Sequence, residues 1–133
     1  MILVDTSACV EYDRATGSAI DQKLTELIRA GGGELAVTEP VLMEVLAGAA
    51  DEHGSSRLRR LLTSFQWVPV DTVADFEGAA KIYRSCRAAG ISPRALIDCL
   101  VANVAVRTGH PVLAADPDFA SIAQVVPLRL AAT

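Results

Sequence analysis

The 133 residues match the length of one ordinary domain, and the 51% hydrophobic content can build a core without disulfides or structural metals. The net charge of −4 argues against the broadly basic surface of a non-specific nucleic-acid-binding protein. Three cysteines without a C-x-x-C pair argue against a disulfide framework and favour a reducing, cytoplasmic location. The N-terminus does not resemble a signal peptide, and no apolar run reaches the ~18 residues that span a bilayer. We therefore expect no membrane association.

Strand-like and helix-like segments alternate along the chain. The apolar patterns predict strands at 2–5, 35–37, 67–70, 112–114 and near Val125–Val126, and helices at 18–30, 38–48, 58–65, 72–89, 92–109 and from about Pro117. A polar break is predicted at 51–56. Strands separated by helices favour a mostly parallel sheet covered on both faces, because parallel neighbours need crossover connections. With no repeat or linker in the pattern, we expect a single α/β domain over residues 1–133.

Carboxylates recur just past the predicted strands and inside an apolar helix. Asp5 follows the first strand and Asp116 the fourth, while Glu44 and Asp98 lie on helices that follow strands two and three. The carboxyl ends of parallel strands meet at one edge of a sheet, where ligands of such folds bind. Four carboxylates in one pocket need a counter-charge, and hard oxygen ligands select Mg²⁺ or Mn²⁺ over zinc. The sequence therefore predicts a magnesium or manganese site.

Each acid also has an alternative interpretation. Asp5 could simply cap a helix after the first strand, and Glu44 could lie on the exposed face of an amphipathic helix. Asp118 belongs to an Asp-Pro-Asp-Phe sequence that is common in turns that cap helices. Asp98 is the hardest to explain without a site, because Asn103 is the only other polar residue between Ala95 and Val106.

The four acidic blocks resemble those of PIN-domain ribonucleases of the VapC toxin type. The blocks are Asp5–Tyr12, Thr38–Gly48, Leu96–Ala102 and Val112–Phe119, in family order and spacing. The resemblance implies a three-layer α/β/α PIN domain with a mostly parallel five-stranded sheet of order 3-2-1-4-5. It also implies a Mg²⁺-dependent endoribonuclease, with Mn²⁺ as a substitute, that forms a homodimer. Such a toxin would be neutralised by a cognate VapB-type antitoxin that occupies the acidic groove.

The resemblance also implies residue roles. By matching position, the catalytic residues are Asp5, Glu44, Asp98 and Asp116, of which Asp5, Asp98 and Asp116 are the expected metal ligands. Asp118 is expected as an accessory acid, and Thr6 or Ser7 as supporting hydroxyls. Hydrolysis by an activated water would leave a 5′-phosphate and a 3′-hydroxyl on RNA.

Other functions fit the acids less well. A response-regulator receiver needs a lysine after its last strand, whereas the only lysines here are Lys23 and Lys81. A metal-dependent phosphohydrolase that acts on a non-RNA phosphate ester fits the carboxylates nearly as well and stays open. A non-catalytic binding domain would have no need to retain all four acids. His53 and His110 lie in a polar break and a turn, so neither is expected in catalysis.

Basic residues cluster before and after the Asp98 segment. Their arginine forks suit phosphate binding, but for any single one of them a solvated helix face is the simpler interpretation. They are Lys81, Arg84, Arg87, Arg94 and Arg107.

Overall fold

Four short strands form one parallel sheet in the computed structural model, which describes all 133 residues. They are β1 (Ile2–Val4), β2 (Leu35–Val37), β3 (Gln66–Trp67) and β4 (Val112–Leu113). The strand order is β3-β2-β1-β4, and all neighbours run parallel. Leu3 pairs with Ala36 on one side and with Val112 on the other, so β1 is central. The predicted α/β fold with a parallel sheet is confirmed.

Seven helices connect and cover the strands. They are α1 (Thr6–Asp13), α2 (Ala19–Arg29), α3 (Glu39–Ala47), α4 (Glu52–Thr63), α5 (Thr72–Ala88), α6 (Leu96–Thr108) and α7 (Asp118–Ala123). Every residue of β2 is buried, and because alternate side chains of a strand point to opposite faces, both faces of the sheet are covered. The predicted helix end at Gly109 is confirmed, since this glycine has the left-handed φ of +74° that commonly ends a helix.

The predicted fifth strand near Val125–Val126 is not confirmed. The amides of both residues donate to the carbonyl of Ile122, which holds them in the turn after α7. The free edge of β4 is instead met by Leu130, which forms an isolated parallel bridge with Val112. Pro127 has no N–H to donate to a ladder, so a strand cannot extend back through it. The predicted order 3-2-1-4-5 is therefore correct only for its first four members.

Several other boundaries differ from the sequence prediction, among them the helix predicted from residue 92, which begins at Leu96. The predicted polar break at 51–56 is mostly helix, because Asp51 caps α4 by accepting a hydrogen bond from the amide of Gly54 at 2.7 Å. The strand predicted at 67–70 pairs only at Gln66–Trp67, and Pro69 cannot donate to a ladder. Helix α1 was not predicted, because its apolar residues do not recur on one face.

The hydrophobic core contains 29 buried residues, including the fully buried strand residues Leu3, Val4, Ala36 and Leu113. All three cysteines are buried and unpaired, as expected for a chain without a disulfide framework. None of the helices combines the length and the apolar character that crossing a membrane requires.

A buried ion pair joins α5 to α6. The carboxylate of Asp75 is fully buried and accepts hydrogen bonds from Arg107 Nη2 at 2.8 Å, Asn103 Nδ2 at 2.8 Å and the Asp71 amide at 2.8 Å. Burial opposes ionisation of Asp75, but the hydrogen bonds from Arg107, Asp71 and Asn103 outweigh it and hold its pKa below the usual value. The two helices approach closely at Gly78, where any Cβ atom would clash with the Asn103 side chain.

Candidate metal centre

Asp5 lies at the carboxyl end of β1 and connects this strand to the end of β4. Its Oδ2 atom accepts hydrogen bonds from the Ser7 amide at 3.0 Å and from Ser7 Oγ at 2.6 Å, so Asp5 is also the N-cap of α1. Ser7 Oγ in turn accepts hydrogen bonds from the amides of Ala115 at 2.9 Å and Asp116 at 3.1 Å. The helix-cap interpretation and the site interpretation of Asp5 are therefore compatible, and Ser7 aligns the two strand ends.

The second carboxylate oxygen of Asp5 is buried and has no hydrogen-bond partner. Burial raises the pKa of Asp5, the hydrogen bonds from Ser7 oppose this rise, and the charge of Glu44 adds to it. A buried oxygen of this kind carries a desolvation cost that a bound cation would offset. Asp5 therefore has the property expected of a metal ligand.

Three further acids form a compact group at the same edge of the sheet. Ligand oxygens of Asp98, Asp116 and Asp118 lie within 4.8 Å of one another. Asp98 is buried in the first turn of α6 and its carboxylate makes no hydrogen bond, while Asp116 and Asp118 are half-buried at the end of β4 and the start of α7. Asp118, predicted only as an accessory acid, thus lies in the tightest group, and Asp5 lies outside that group.

The five acids share one electrostatic environment. Burial is the main cause that raises the pKa of Asp98 to about 7, and the charges of Asp5, Asp116, Asp118 and Glu44 raise it further. A positive charge bound beside Asp98 would favour its ionised form. Of the four acids predicted to converge, Asp98 and Asp116 lie in the tight group, and Asp5 and Glu44 lie close enough for their charges to act on Asp98.

Glu44 and Thr6 connect α3 to α1 beside this group. Thr6 Oγ1 donates a hydrogen bond to Glu44 Oε1 at 2.8 Å, and Glu44 is half-buried. Glu44 therefore does not lie on a solvated helix face, which was the alternative to a role in the site. Thr6 and Ser7 support different acids, one fixing Glu44 and the other Asp5.

Arg94 contacts the acids directly, which sequence reasoning missed. Its Nη2 atom lies 2.8 Å from Asp116 Oδ1, and its Nε atom lies 3.3 Å from Asp118 Oδ2. The Arg94 amide also donates to Asp118 Oδ2 at 2.9 Å. The sequence placed Arg94 among several basic residues near Asp98, and no periodic pattern singled it out.

The donor set of this site fits a hard divalent cation. The three grouped side chains all offer carboxylate oxygens, as do Asp5 and Glu44, whose charges act on Asp98, and no histidine or cysteine is in the group. Oxygen-only sites bind Mg²⁺, Mn²⁺ or Ca²⁺, whereas zinc sites usually contain nitrogen or sulfur ligands. The partnerless Asp5 oxygen and the raised pKa of Asp98 are the two features that such an ion would relieve.

The sequence is similar to that of a known nuclease family over nearly its whole length. A profile of the PIN domain matches residues 2–125. VapC ribonuclease Mb1587 of Mycobacterium bovis and Ribonuclease VapC11 of Mycobacterium tuberculosis are each 42% identical to the chain over 131 residues, which cover 98% of this chain and 98% of each relative.

Solved structures share the fold at lower sequence identity. A chain in the crystal structure of VapBC2 from Rickettsia felis, bound to a DNA fragment from its promoter, superposes with a TM-score of 0.76 at 18% identity, covering 98% of both chains. Mycobacterium tuberculosis VapC20, described as a sarcin-ricin loop cleaving toxin, superposes with a TM-score of 0.72 at 21% identity, covering 97% of this chain and 99% of its own.

Proposed function

This chain belongs to the PIN-domain family and, within it, to the VapC ribonucleases, and from that premise we propose that it is the toxin of a type II toxin–antitoxin system. Its activity would be Mg²⁺-dependent endonucleolytic cleavage of cellular RNA. The observation that carries the proposal is the tight group of Asp98, Asp116 and Asp118, together with a buried Asp5 oxygen that has no hydrogen-bond partner. A divalent ion would offset the charge of such a cluster and would also serve as counter-charge for a phosphodiester substrate.

The acids divide into ligands and supporting groups in this proposal. Asp5, Asp98 and Asp116 would hold the ion, and Asp118 would assist from its place beside Asp98 and Asp116. When bound, a divalent ion supplies Lewis-acid activation of water and neutralisation of charge on the scissile phosphate. Asp98, with its pKa of about 7, would have to release its proton to act as a ligand, so ion binding should strengthen as pH rises through 7.

Glu44 would position the attacking water. Its Oε1 atom is fixed by the hydrogen bond from Thr6 Oγ1, which leaves the other carboxylate oxygen without a hydrogen-bond donor from the protein. A carboxylate in this state can accept a proton from a water aligned with the scissile phosphate. Attack by water breaks the bond to the 3′ oxygen and leaves a 5′-phosphate and a 3′-hydroxyl.

A metal-dependent phosphohydrolase that acts on a non-RNA phosphate ester is the second candidate. The same carboxylates and the same hard cation would serve it, so the site geometry alone does not separate the two. The relatives at 42% identity are ribonucleases, which favours RNA. Hydrolysis of a chromogenic phosphomonoester without cleavage of RNA would reverse this preference.

We expect the purified chain to cleave total cellular RNA when Mg²⁺ or Mn²⁺ is present at millimolar concentration, and to be inactive in EDTA. The same ions should raise the melting temperature by mass action, because they bind the folded site and not the unfolded chain. Mapping of the new RNA ends should give 5′-phosphates. Full cleavage in EDTA would contradict the proposed metal dependence, and intact RNA under all ion conditions would contradict the ribonuclease proposal.

An apolar groove between α3, α5 and α6 suggests a second copy of the chain as a partner. The groove has a volume of about 620 Å³, and Glu39 is the only charged residue among those that line it. Phe76 and Leu96 border it with 59% and 61% of their surface exposed. Large exposed side chains grouped in this way usually mark an interface, and a homodimer would cover the same groove on both copies.

A cognate VapB-type antitoxin is proposed to bind elsewhere, next to Glu44. A smaller hollow between α1, α3 and α4 is lined by Cys9, Val10, Val45 and Leu58 and reaches Glu44. Apolar residues of an extended antitoxin tail would fill this hollow. A lysine or arginine of the same tail would then replace the metal ion as counter-charge among the acids, through charge-assisted hydrogen bonds.

Both partners can be tested in one set of experiments. Co-expression with the small open reading frame next to the gene should restore growth, yield a stable complex and block RNA cleavage. Light scattering of the bare chain should give twice its mass of 14.0 kDa, and Phe76→Glu should return it to a single copy. Persistent growth arrest despite complex formation would contradict inhibition at the acidic site. A monomeric wild-type chain would contradict the proposed dimer.

A further inference from the structure

Arg94 is the only basic side chain that contacts the acids of the candidate metal centre. Its guanidinium bridges two carboxylates, through Nη2 to Asp116 Oδ1 at 2.8 Å and through Nε to Asp118 Oδ2 at 3.3 Å. Each carboxylate keeps its other oxygen free of hydrogen bonds, so Asp116 and Asp118 can still offer an oxygen to an ion.

The loop before α6 fixes Arg94 in this position. The Arg94 amide donates to Asp118 Oδ2 at 2.9 Å, so both the main chain and the side chain of this residue are attached to the same acid. The preceding residue, Pro93, is buried and has a restricted backbone. The guanidinium is therefore oriented before any ligand arrives, which lowers the conformational entropy that binding would cost.

The outer part of the guanidinium is open to solvent. The Arg94 side chain is 69% exposed, and its Nη1 atom donates no hydrogen bond. A planar guanidinium can donate to carboxylates on one edge and to a phosphate on another, which an ammonium group does less well. Arg94 thus presents unused donors at the border of the acidic cluster.

A phosphate that approaches this cluster needs such a donor. The chain carries a net charge of −4, and three carboxylates are grouped at the site with the charges of Asp5 and Glu44 nearby, so an RNA strand is repelled wherever the metal charge does not reach. Of the other basic residues near the Asp98 segment, Arg107 binds the buried Asp75 and Arg87 lies 5.9 Å above the ring of Tyr83. Lys81 and Arg84 make no salt bridge with the acids. Arg94 is the cation placed to offset the repulsion.

We propose that Arg94 binds a backbone phosphate of the RNA substrate beside the metal centre, with Asp116 and Asp118 holding its guanidinium in place. This inference rests on the proposed ribonuclease function. Arg94 would thereby set where the strand lies relative to Asp98 and Asp5, and it would act on substrate binding more than on the chemical step.

The test compares Arg94→Gln and Arg94→Lys with the unmodified chain. Fluorescence anisotropy of a labelled single-stranded RNA, measured in an Asp98→Asn background, should show about a fivefold to tenfold weaker affinity for Arg94→Gln. The slope of log affinity against log salt should fall by about 0.7, the value for one lost phosphate contact on a single strand. Arg94→Lys keeps the charge without the fork and should recover part of the affinity and most of the slope.

Arg29→Gln is the charge-matched control. Arg29 is exposed, makes no hydrogen bond, and ends α2 just before β2 begins, so it lies at the amino edge of the sheet, opposite the acids. This variant should leave the RNA affinity and its salt slope close to those of the unmodified chain.

Steady-state kinetics measure the effect of Arg94 on RNA binding in the active chain, which retains Asp98. Arg94→Gln should raise the KM for RNA about fivefold to tenfold with little change in kcat. An unchanged KM and salt slope in Arg94→Gln, while the parent chain cuts RNA, would overturn the phosphate contact alone. A parent chain that neither binds nor cuts RNA would overturn the ribonuclease proposal and this inference together.

Discussion

Replacing Asp98 by Asn is expected to reduce RNA cleavage at least about 100-fold without unfolding the protein. Asp98 lies in the tightest acid group, and Asn preserves its shape while removing the charge that a metal ligand needs. Its carboxylate makes no hydrogen bond in the structure, so the substitution breaks no contact that holds α6 in place. Cleavage of total RNA in Mg²⁺, followed with circular dichroism of the same sample, measures both parts of this expectation.

Asp51→Asn is the matched control for Asp98→Asn. Asp51 caps α4 through the Gly54 amide, and Asn caps helices equally well, so this variant should retain wild-type cleavage. If Asp98→Asn also cleaves at the wild-type rate, Asp98 does not belong to the catalytic site.

Without metal, Asp98→Asn should melt at a higher temperature than the wild type at pH 8. The pKa of Asp98 is about 7 in the folded chain, against about 4 for an unfolded aspartate, so the folded state binds this proton more tightly. The contribution of Asp98 to the free energy of unfolding is therefore fully present below about pH 4 and is lost as pH rises through about 7. The advantage of the Asn variant should therefore shrink towards pH 4.

Replacing Asp75 by Ala is expected to destabilise the fold by about 3 kcal/mol, a loss of roughly 10 °C in melting temperature. Asp75 is fully buried and neutralises Arg107, so its removal leaves the Asn103 amide without its acceptor and leaves Arg107 with only the Pro69 carbonyl. Loss of one partner of a buried pair costs far more than loss of a surface charge. Urea or thermal unfolding monitored by circular dichroism gives the value.

Asp71→Ala provides the comparison for Asp75→Ala. Asp71 lies four residues earlier at the start of α5, is exposed, and its carboxylate makes no hydrogen bond, so its removal should change stability by less than about 0.5 kcal/mol. The pKa of Asp75 is depressed in the folded state, so its contribution is present above about pH 4 and is lost as pH falls through the folded value. Equal stability of the two variants at pH 7 would show that the buried pair contributes nothing.

The sequence by itself determined the parallel α/β fold and the position of most of the acids. Apolar runs of strand length mark β1, β2 and β4, and carboxylates directly after β1 and β4 must lie at the same edge of a parallel sheet. Asp98 could be predicted as buried because its helix carries almost no other polar residue. These features are local, since periodicity and composition within about ten residues determine them.

Only the tertiary structure decided how the acids are neutralised and supported. Arg94 forms hydrogen bonds with Asp116 and Asp118, which lie 22 and 24 residues away in the sequence. Arg107 forms hydrogen bonds with Asp75, which lies 32 residues away. Ser7 joins the amides of Ala115 and Asp116 across more than 100 residues. No periodic pattern records such contacts, because they depend on where two loops or helices come together.

The tertiary structure also decided which residues pair with β4 at the edge of the sheet. Val125 and Val126 have the β-branched side chains of a strand, and the sequence predicted one there. In the fold, the amides of both residues donate hydrogen bonds to the carbonyl of Ile122. Leu130, and not Val125 or Val126, pairs with β4. Propensity describes what a short segment can form. The competition among hydrogen-bond partners that selects one structure arises only when α7 packs against α6.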